Sequence, residues 1–407
     1  MKNNKKIPRL RFSEFINSWE QYKLSELCEK ITVGIANSAT HAYTDKGVVM
    51  FRNQNIKENH LDDSDIIHID SEFEKKYANK RLKASDLLIT RTGYPGIACV
   101  VPEKYENAQT FTTLIARLKE GTNPFYACQY INSDYGKRFF AKRQIGGGQK
   151  NSGAGILGEF PMILPPTIAE QDRIAVFFAK IDSLITLHQL KLDAIKEYRK
   201  GMLQKLFPRE GLYVPEIRFP GFNDPWKPCK FGELYYKSSE KNDGSIGMDK
   251  NITVATMQYK EDVKVSTDDY LKTYYTFKIG DIAFEGHQSK EYRFGRFVEN
   301  DIGDGIVSHI FAVFRPKVEY DIRFWKYAIN NEYLMQRVLA RSTKASTMMH
   351  DLVADDFLAE EILVPNVAEQ RIIGDFISTL DDLVALYQYK LDAIKEYKKG
   401  LLQQMLI

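Results

Sequence analysis

Residues 191–198 read KLDAIKEY, and residues 390–397 read KLDAIKEY again. The likeness runs outward on both sides. AEQDRIAVFFAKIDSLITLHQ at 169–189 precedes the first copy, and AEQRIIGDFISTLDDLVALYQ at 368–388 precedes the second. RKGMLQKLF at 199–207 follows the first, and KKGLLQQMLI at 398–407 follows the second. In the first copy, side chains suited to a seam fall at Ile174, Phe177, Ile181, Leu184, His188, Ile195, Tyr198 and Met202; in the second they fall at Ile373, Phe376, Leu380, Leu383, Tyr387, Ile394, Tyr397 and Leu401. Intervals alternating between three and four residues predict a long helix with a coiled-coil seam. Lys191 and Lys390 interrupt the two seams at the same place. His188 aligns with Tyr387, so it reads as a seam residue and not as a metal ligand. A helix over 169–206 would be about 57 Å long at 1.5 Å per residue.

An isolated helix with such a stripe needs a partner, and the matching helix is the natural one. Antiparallel pairing would set the rest of the chain at the two ends of a rod, in a pseudo-two-fold arrangement. That remainder is itself duplicated. IPRLRFSEFINSWEQYKLSEL at 7–27 matches VPEIRFPGFNDPWKPCKFGEL at 214–234, with Pro8, Arg11, Phe12, Phe15 and Trp19 in register with Pro215, Arg218, Phe219, Phe222 and Trp226. Each half then carries short β-type runs, among them SDLLITRTG and TTLIARLK in the first and GDIAFEGHQ and HIFAVFRP in the second. A helical run follows in each, and then an apolar run ending in proline, FPMILPP or EEILVP. The expected class is α+β: two similar domains over 1–168 and 208–366, separated by long helices over 169–207 and 367–407.

Composition narrows the function classes. Hydrophobic residues make up 43% and charged residues 27% of the 407, as in globular proteins. No apolar run reaches the length of a membrane span, and the start lacks the apolar core of a signal peptide, so the reading is cytoplasmic with no membrane partner. Cys28, Cys99, Cys128 and Cys229 form no CxxC pair, which argues against zinc and a disulfide framework. The net charge of +3 neither requires nor excludes nucleic acid. No P-loop, dinucleotide fingerprint or HExxH occurs. The strings closest to a methyltransferase tetrad, Asn223-Asp224-Pro225-Trp226 and Leu164-Pro165-Pro166-Thr167, do not fit, so no catalytic residues and no cofactor are assigned to this chain.

Two sets of polar, partly basic loop residues remain, one per body. The first comprises Arg52, Asn53, Gln54, Asn55, Lys80, Arg81, Arg91, Thr92, Tyr94, Arg143, Gln149 and Lys150. The second comprises Gln258, Tyr259, His287, Gln288, Ser289, Lys290, Tyr292, Arg293, Arg341, Ser342, Thr343 and Lys344. Arg, Asn and Gln pair bidentately with guanine and adenine edges, while Lys, Ser and Thr suit phosphates. Taken singly, each is an ordinary solvated residue. Taken as two sets in a duplicated frame, they point to double-stranded DNA.

With its duplicated R-F…W openings, [SG]-D-[LI] turns, AEQ helix starts and D-x-[IL]-[KE]-x-Y stretch, the chain resembles the specificity subunits of type I restriction-modification enzymes over essentially its whole length. The resemblance implies two target-recognition domains, each reading one half of a bipartite, asymmetric DNA site, with the helices as the ruler for the spacer. It implies two modification subunits as partners, carrying S-adenosylmethionine and methylating adenine. Restriction subunits that use ATP and Mg would join them. The unequal loops, Thr90-Arg91-Thr92 against Glu285-Gly286-His287, imply two different half-sites. Two other classes stay open: a self-sufficient DNA methyltransferase or nuclease, and a coiled-coil adaptor with no DNA role.

Overall fold

The structure is a computed structural model that describes residues 6–143, 153–261, 267–345 and 349–406. The chain divides into two compact units, Met1–Leu190 with Tyr389–Ile407, and Lys191–Gln388. Each unit therefore contains one body and parts of both long helices.

The body of the first unit is built on an antiparallel sheet. Its strands lie in the order Cys28–Val33, Leu114–Leu118, Leu87–Ile89, Ala98–Val100. The second body repeats that order with Tyr235–Ser238, Ala312–Pro316, Ile282–Glu285 and Arg296–Glu299. These are short β-branched and aromatic runs, the composition that fits a half-buried pleat. The remaining strands differ between the bodies. In the first, Gln109–Thr110, Val48–Phe51, Ile67–Ile69 and Tyr43–Thr44 form a second four-stranded sheet, with Gln109–Thr110 parallel to Val48–Phe51. In the second, described strands pair only two by two there, Tyr275–Phe277 with Gly305–Val307 and Ile252–Thr253 with Gln258–Tyr259.

The helical run of each body is two helices and not one: Pro124–Asn132 and Asp134–Lys142, then Ile322–Ile329 and Glu332–Ser342. Ser133 and Asn331 take extended backbone between them, and the side chain of each caps the helix that follows.

The repeated motifs each have a structural reason. In the [SG]-D-[LI] turns, Asp86 accepts from the Lys83 amide (2.8 Å) and from the Arg117 fork (2.8 and 2.7 Å). Asp281 does the same with the Lys278 amide (2.8 Å) and Arg315 (3.0 and 2.9 Å). The residue before each aspartate is left-handed, Ser85 at φ 70° and Gly280 at φ 84°, which is why glycine is an alternative there.

The opening and the AEQ start lock together. Arg11 forks onto Glu170 (2.6 and 2.8 Å), and the Trp19 indole donates to the same carboxylate at 3.1 Å. Arg218 and Trp226 repeat this on Glu369 at 2.8, 2.9 and 3.4 Å. Both glutamates are about 1% exposed in their side chains, so these are buried, charge-assisted clamps. The following glutamine ties in the body. Gln171 accepts from the Asn123 amide (2.8 Å) and donates to the Pro165 carbonyl (3.1 Å). Gln370 makes the same two bonds with Asp321 and Pro365, both at 3.1 Å. Asn123 and Asp321 cap the first body helix in each case.

The long helices run Ile168–Lys205 and Val367–Met405. In the first unit, Ile174 and Phe178 share a core with Leu401 and Met405; in the second, Leu206 and Phe207 share one with Ile373 and Ile377. Within each unit the start of one helix thus lies against the end of the other, which is antiparallel packing.

The seam itself is displaced from the expected one at every second position. Ile174, Ile181, His188, Ile195, Ile373, Leu380, Tyr387 and Ile394 are buried or half-buried. Between them the inward row runs through Phe178, Ile185, Leu192 and Arg199, and through Ile377, Val384, Leu391 and Lys398. Phe177 and Phe376 instead meet the openings edge-on, at 5.9 Å from Phe12 and 5.5 Å from Phe219. Leu184, Tyr198, Leu383 and Tyr397 are exposed. Lys191 and Lys390 interrupt nothing: they are exposed, while Leu192 and Leu391 beside them are each 1% exposed. The repeat carries apolar side chains at two adjacent heptad positions, so spacing alone leaves the phase open by one residue.

The two cations in the row find acids inside their own units. Lys398 meets Asp182 at 2.5 Å, and Gln129 of the first body donates to that carboxylate at 2.6 Å. Arg199 pairs with Asp381, to which Tyr327 of the second body donates at 2.7 Å.

Candidate DNA interface

In the first body two loops meet. One follows the strand Val48–Phe51 and carries Arg52, Asn53 and Gln54; the other follows Leu87–Ile89 and carries Arg91 and Thr92. Asn53 joins them. Its Nδ2 donates to Thr92 Oγ1 at 2.7 Å, and its Oδ1 accepts from the Arg91 amide at 3.2 Å. These five residues line an open cleft of about 610 Å³ together with Tyr43, Phe111 and Thr112, and no carboxylate is among the lining residues.

The second loop is braced as a tight hairpin. The Thr90 hydroxyl donates to the Tyr94 carbonyl (2.6 Å) and accepts from the Ile97 amide (2.9 Å). Gly96, at φ 98°, lies so close to Phe140 that a Cβ would fall 2.3 Å from the ring. Only glycine fits that approach. Tyr94, at the hairpin tip, is 84% exposed. Opposite, Thr112 holds φ 55°, an unfavourable conformation for a β-branched residue that costs on the order of 1–3 kcal/mol. Its amide is fixed on the Ile35 carbonyl at 2.9 Å.

The two arginines of the cleft differ. Arg52 is committed to Asp65, through the side chain at 2.8 Å and the carbonyl at 2.9 Å, and Gln54 donates to the same carboxylate at 2.8 Å. Arg91 has no ion pair among the described residues, and in both arginines Nε is shut from solvent with no acceptor among the described residues.

Other residues expected at this interface are placed elsewhere. Asn55 is buried and staples its own loop, accepting from the Arg52 amide and donating to the Asp62 and Asp65 carbonyls. Arg81 forks onto the buried Glu74 at 2.8 and 2.7 Å, and that guanidinium holds the Glu74 carboxyl below the usual range. Lys80 donates to the Gly34 carbonyl at 2.8 Å. Lys80 and Arg81 line a separate, small pocket. Arg143 stacks over Phe139 at 4.0 Å. Gln149 and Lys150 lie outside the described residues.

In the second body, His287, Gln288, Ser289 and Lys290 stand exposed between the strands Ile282–Glu285 and Arg296–Glu299. The Ser289 hydroxyl accepts from the Tyr292 amide at 3.0 Å and so closes the loop as a turn. Gly286 rests against the His350 carbonyl, where a Cβ would come to 2.1 Å. Arg293 is exposed beside the Phe294 ring, and Tyr292 lies under Arg296. Gln258 and Tyr259 sit on a strand, with the Tyr259 hydroxyl on the Asp304 carbonyl at 3.1 Å. Two expectations are corrected here. Ser342 is buried and donates to the Val338 carbonyl at 2.7 Å, and Arg341 is held by Glu360 at 2.8 and 3.0 Å. Thr343 donates to the Leu339 carbonyl at 2.6 Å, while Lys344 is exposed.

Sequence reasoning missed Tyr43, Phe111 and Thr112. Phe111 and Thr112 reach the cleft because Gln109–Thr110 lies parallel to Met50–Phe51, and Tyr43 because its strand pairs with Ile67–Ile69 in the same sheet, pairings that no local pattern announces. Among the described residues, no helix is long and apolar enough to cross a membrane, and no three His, Cys, Asp or Glu side chains gather as a metal site.

These features define a duplicated α+β protein, each body clamped to long helices by an arginine, a tryptophan and a buried glutamate. Residues 16–197 match the family "Type I restriction modification DNA specificity domain". That match falls within the first half of the chain. It is similar to the MjaVIII type I restriction enzyme specificity subunit of Methanocaldococcus jannaschii, 22% identical over 259 residues, an alignment spanning 60% of each chain. Its fold resembles the crystal structure of the type I restriction-modification S subunit from M. genitalium, with a TM-score of 0.60, 14% identity, and 98% and 99% of the two chains covered. It also resembles a chain solved in work on complex assembly and conformational transition of the type I R-M system, with a TM-score of 0.53, 15% identity and coverage of 97% and 99%.

Proposed function

We propose that this chain is the non-catalytic DNA-specificity subunit of a type I restriction-modification complex, acting in the cytoplasm. Each body reads one half of a bipartite, asymmetric site, and the long helices set the spacer. The observation that carries this reading is the first-body cleft. Two arginines, an asparagine and a glutamine converge there between aromatic walls, with no carboxylate in the lining. An electropositive recess offering planar bidentate donors suits base edges in a groove of duplex DNA.

The outward faces of the long helices would dock two methyltransferase subunits. Leu184, Leu187, Leu383 and Leu386 are exposed there in repeated positions, as are Tyr198 and Tyr397. S-adenosylmethionine belongs on those partners, and ATP with Mg on a restriction subunit.

Single-molecule methylome sequencing of a host with and without this chain tests the reading. A bipartite methylated-adenine motif that appears only with the chain is the expected result. Methyl transfer by the purified chain alone would favour a self-sufficient enzyme. Absence of salt-dependent DNA binding by the assembled complex would leave the adaptor.

A further inference from the structure

We propose that Arg91 is the guanine-reading residue of the first body, an assignment that rests on the DNA reading above. Of the two arginines in the cleft, Arg52 already has its charge matched by Asp65. Arg91 has no ion pair among the described residues; the Nε of each is shut from solvent without an acceptor, so the unmatched charge is what sets Arg91 apart. A guanidinium without a counter-charge keeps its donors available for acceptors that DNA can bring.

The surroundings favour a base over a phosphate. No lysine lines the cleft; the neighbours are carboxamide, hydroxyl and aromatic side chains. Lysine is a point charge suited to the backbone, whereas a guanidinium presents two parallel donors that match the O6 and N7 acceptors of guanine in the major groove. The side chain is also presented rigidly. Its amide is pinned to Asn53, and Asn53 is pinned to Thr92. Thr90 closes the hairpin behind it. A pre-set loop spends less ordering entropy on binding, which is what discrimination between bases needs.

The test uses the full chain with its methyltransferase partners in cells. The methylomes of wild type, Arg91→Ala and Arg91→Lys are sequenced. Arg91→Ala is expected to leave the spacer and one half-site unchanged and to make a single guanine position of the other half-site degenerate. Purified complexes should lose about 10- to 100-fold in affinity for the cognate duplex and little for unrelated DNA. Arg91→Lys, which keeps charge and fold, should relax the same position. Intact readout in both Arg91 variants overturns the proposal, as does degeneracy at a position other than guanine. Uniform weakening on all sequences, with a shallower salt dependence, would make Arg91 a phosphate contact and also overturn it. A wild-type chain with no bipartite motif would instead fail the DNA reading itself.

Discussion

Removing the Glu170 carboxylate puts the clamp between opening and long helix to a direct test. Glu170 accepts two bonds from Arg11 and one from Trp19 Nε1, at 2.6, 2.8 and 3.1 Å. The carboxylate is 1% exposed and the Arg11 side chain 10%, so solvent screening does little to weaken the pair. In Glu170→Ala the guanidinium is left buried without a counter-charge, a loss of about 3–5 kcal/mol. The orphaned indole N–H is part of the same loss and is not added again. Glu170→Gln keeps the shape and one acceptor and should lose less.

Hydrogen exchange by mass spectrometry on the full chain reads the effect locally. Peptides covering residues 6–23 and the start of the helix at 168–178 should exchange faster, and the second unit should be unchanged. A double-mutant cycle with Arg11→Ala should return a coupling of about 2 kcal/mol or more. A combined Arg11→Met and Glu170→Leu chain, which buries no charge, should recover most of the protection. If the two single variants add within about 0.5 kcal/mol, the clamp contributes nothing and the reasoning is wrong.

Two further outcomes are expected. Leu192→Ala should destabilise the chain by about 2–5 kcal/mol in chemical denaturation, while Lys191→Ala should stay within about 0.5 kcal/mol; the reverse order would restore the seam through Lys191. Burial pushes the Glu299 carboxyl well above its ordinary range, only partly offset by Tyr320 and Lys326. A raised folded-state pKa gives stability that is full below the unfolded value near 4.3 and is lost as pH rises. Glu299→Gln should therefore match wild type in melting temperature near pH 4 and exceed it at pH 8, and a gap independent of pH would refute this.

The duplication, the strand runs and the extent of the long helices could be read from the chain because periodicity and repetition are local properties. The seam phase could not. KL at 191–192 and YR at 198–199 place a seam-suited residue on either of two adjacent heptad rows, and only packing on the bodies chooses between them. Loop chemistry was harder still. Arg81 and Arg91 look alike in sequence, yet one is held by Glu74 and the other is not. That difference depends on which acid folds back, a long-range fact. Asn55 and Ser342 look like surface donors and are buried staples, because turns and helix ends draw on the same side chains as DNA does.

On the function proposed above, the same division would let one frame serve two different half-sites. Several of the positions identical in the two halves are ones whose loss would leave a buried charge or an uncapped end. These are Arg11 and Arg218, Trp19 and Trp226, Glu170 and Glu369, Gln171 and Gln370, and Asp86 and Asp281. Each makes the same bonds in its own unit, so the four-stranded sheet and the helix starts are built alike. The strands outside that sheet, which bring Tyr43, Phe111 and Thr112 to the first cleft, are held by ties of their own, such as Arg81 and Gln109 on the buried Glu74, and are the parts that differ. A change of reading surface therefore leaves the clamps satisfied. Conversely, a substitution at a clamp should lower stability in its own unit without changing which bases are read. Glu170→Ala sequenced beside Arg91→Ala would separate the two effects: less methylation at an unaltered motif for the first, and an altered motif for the second.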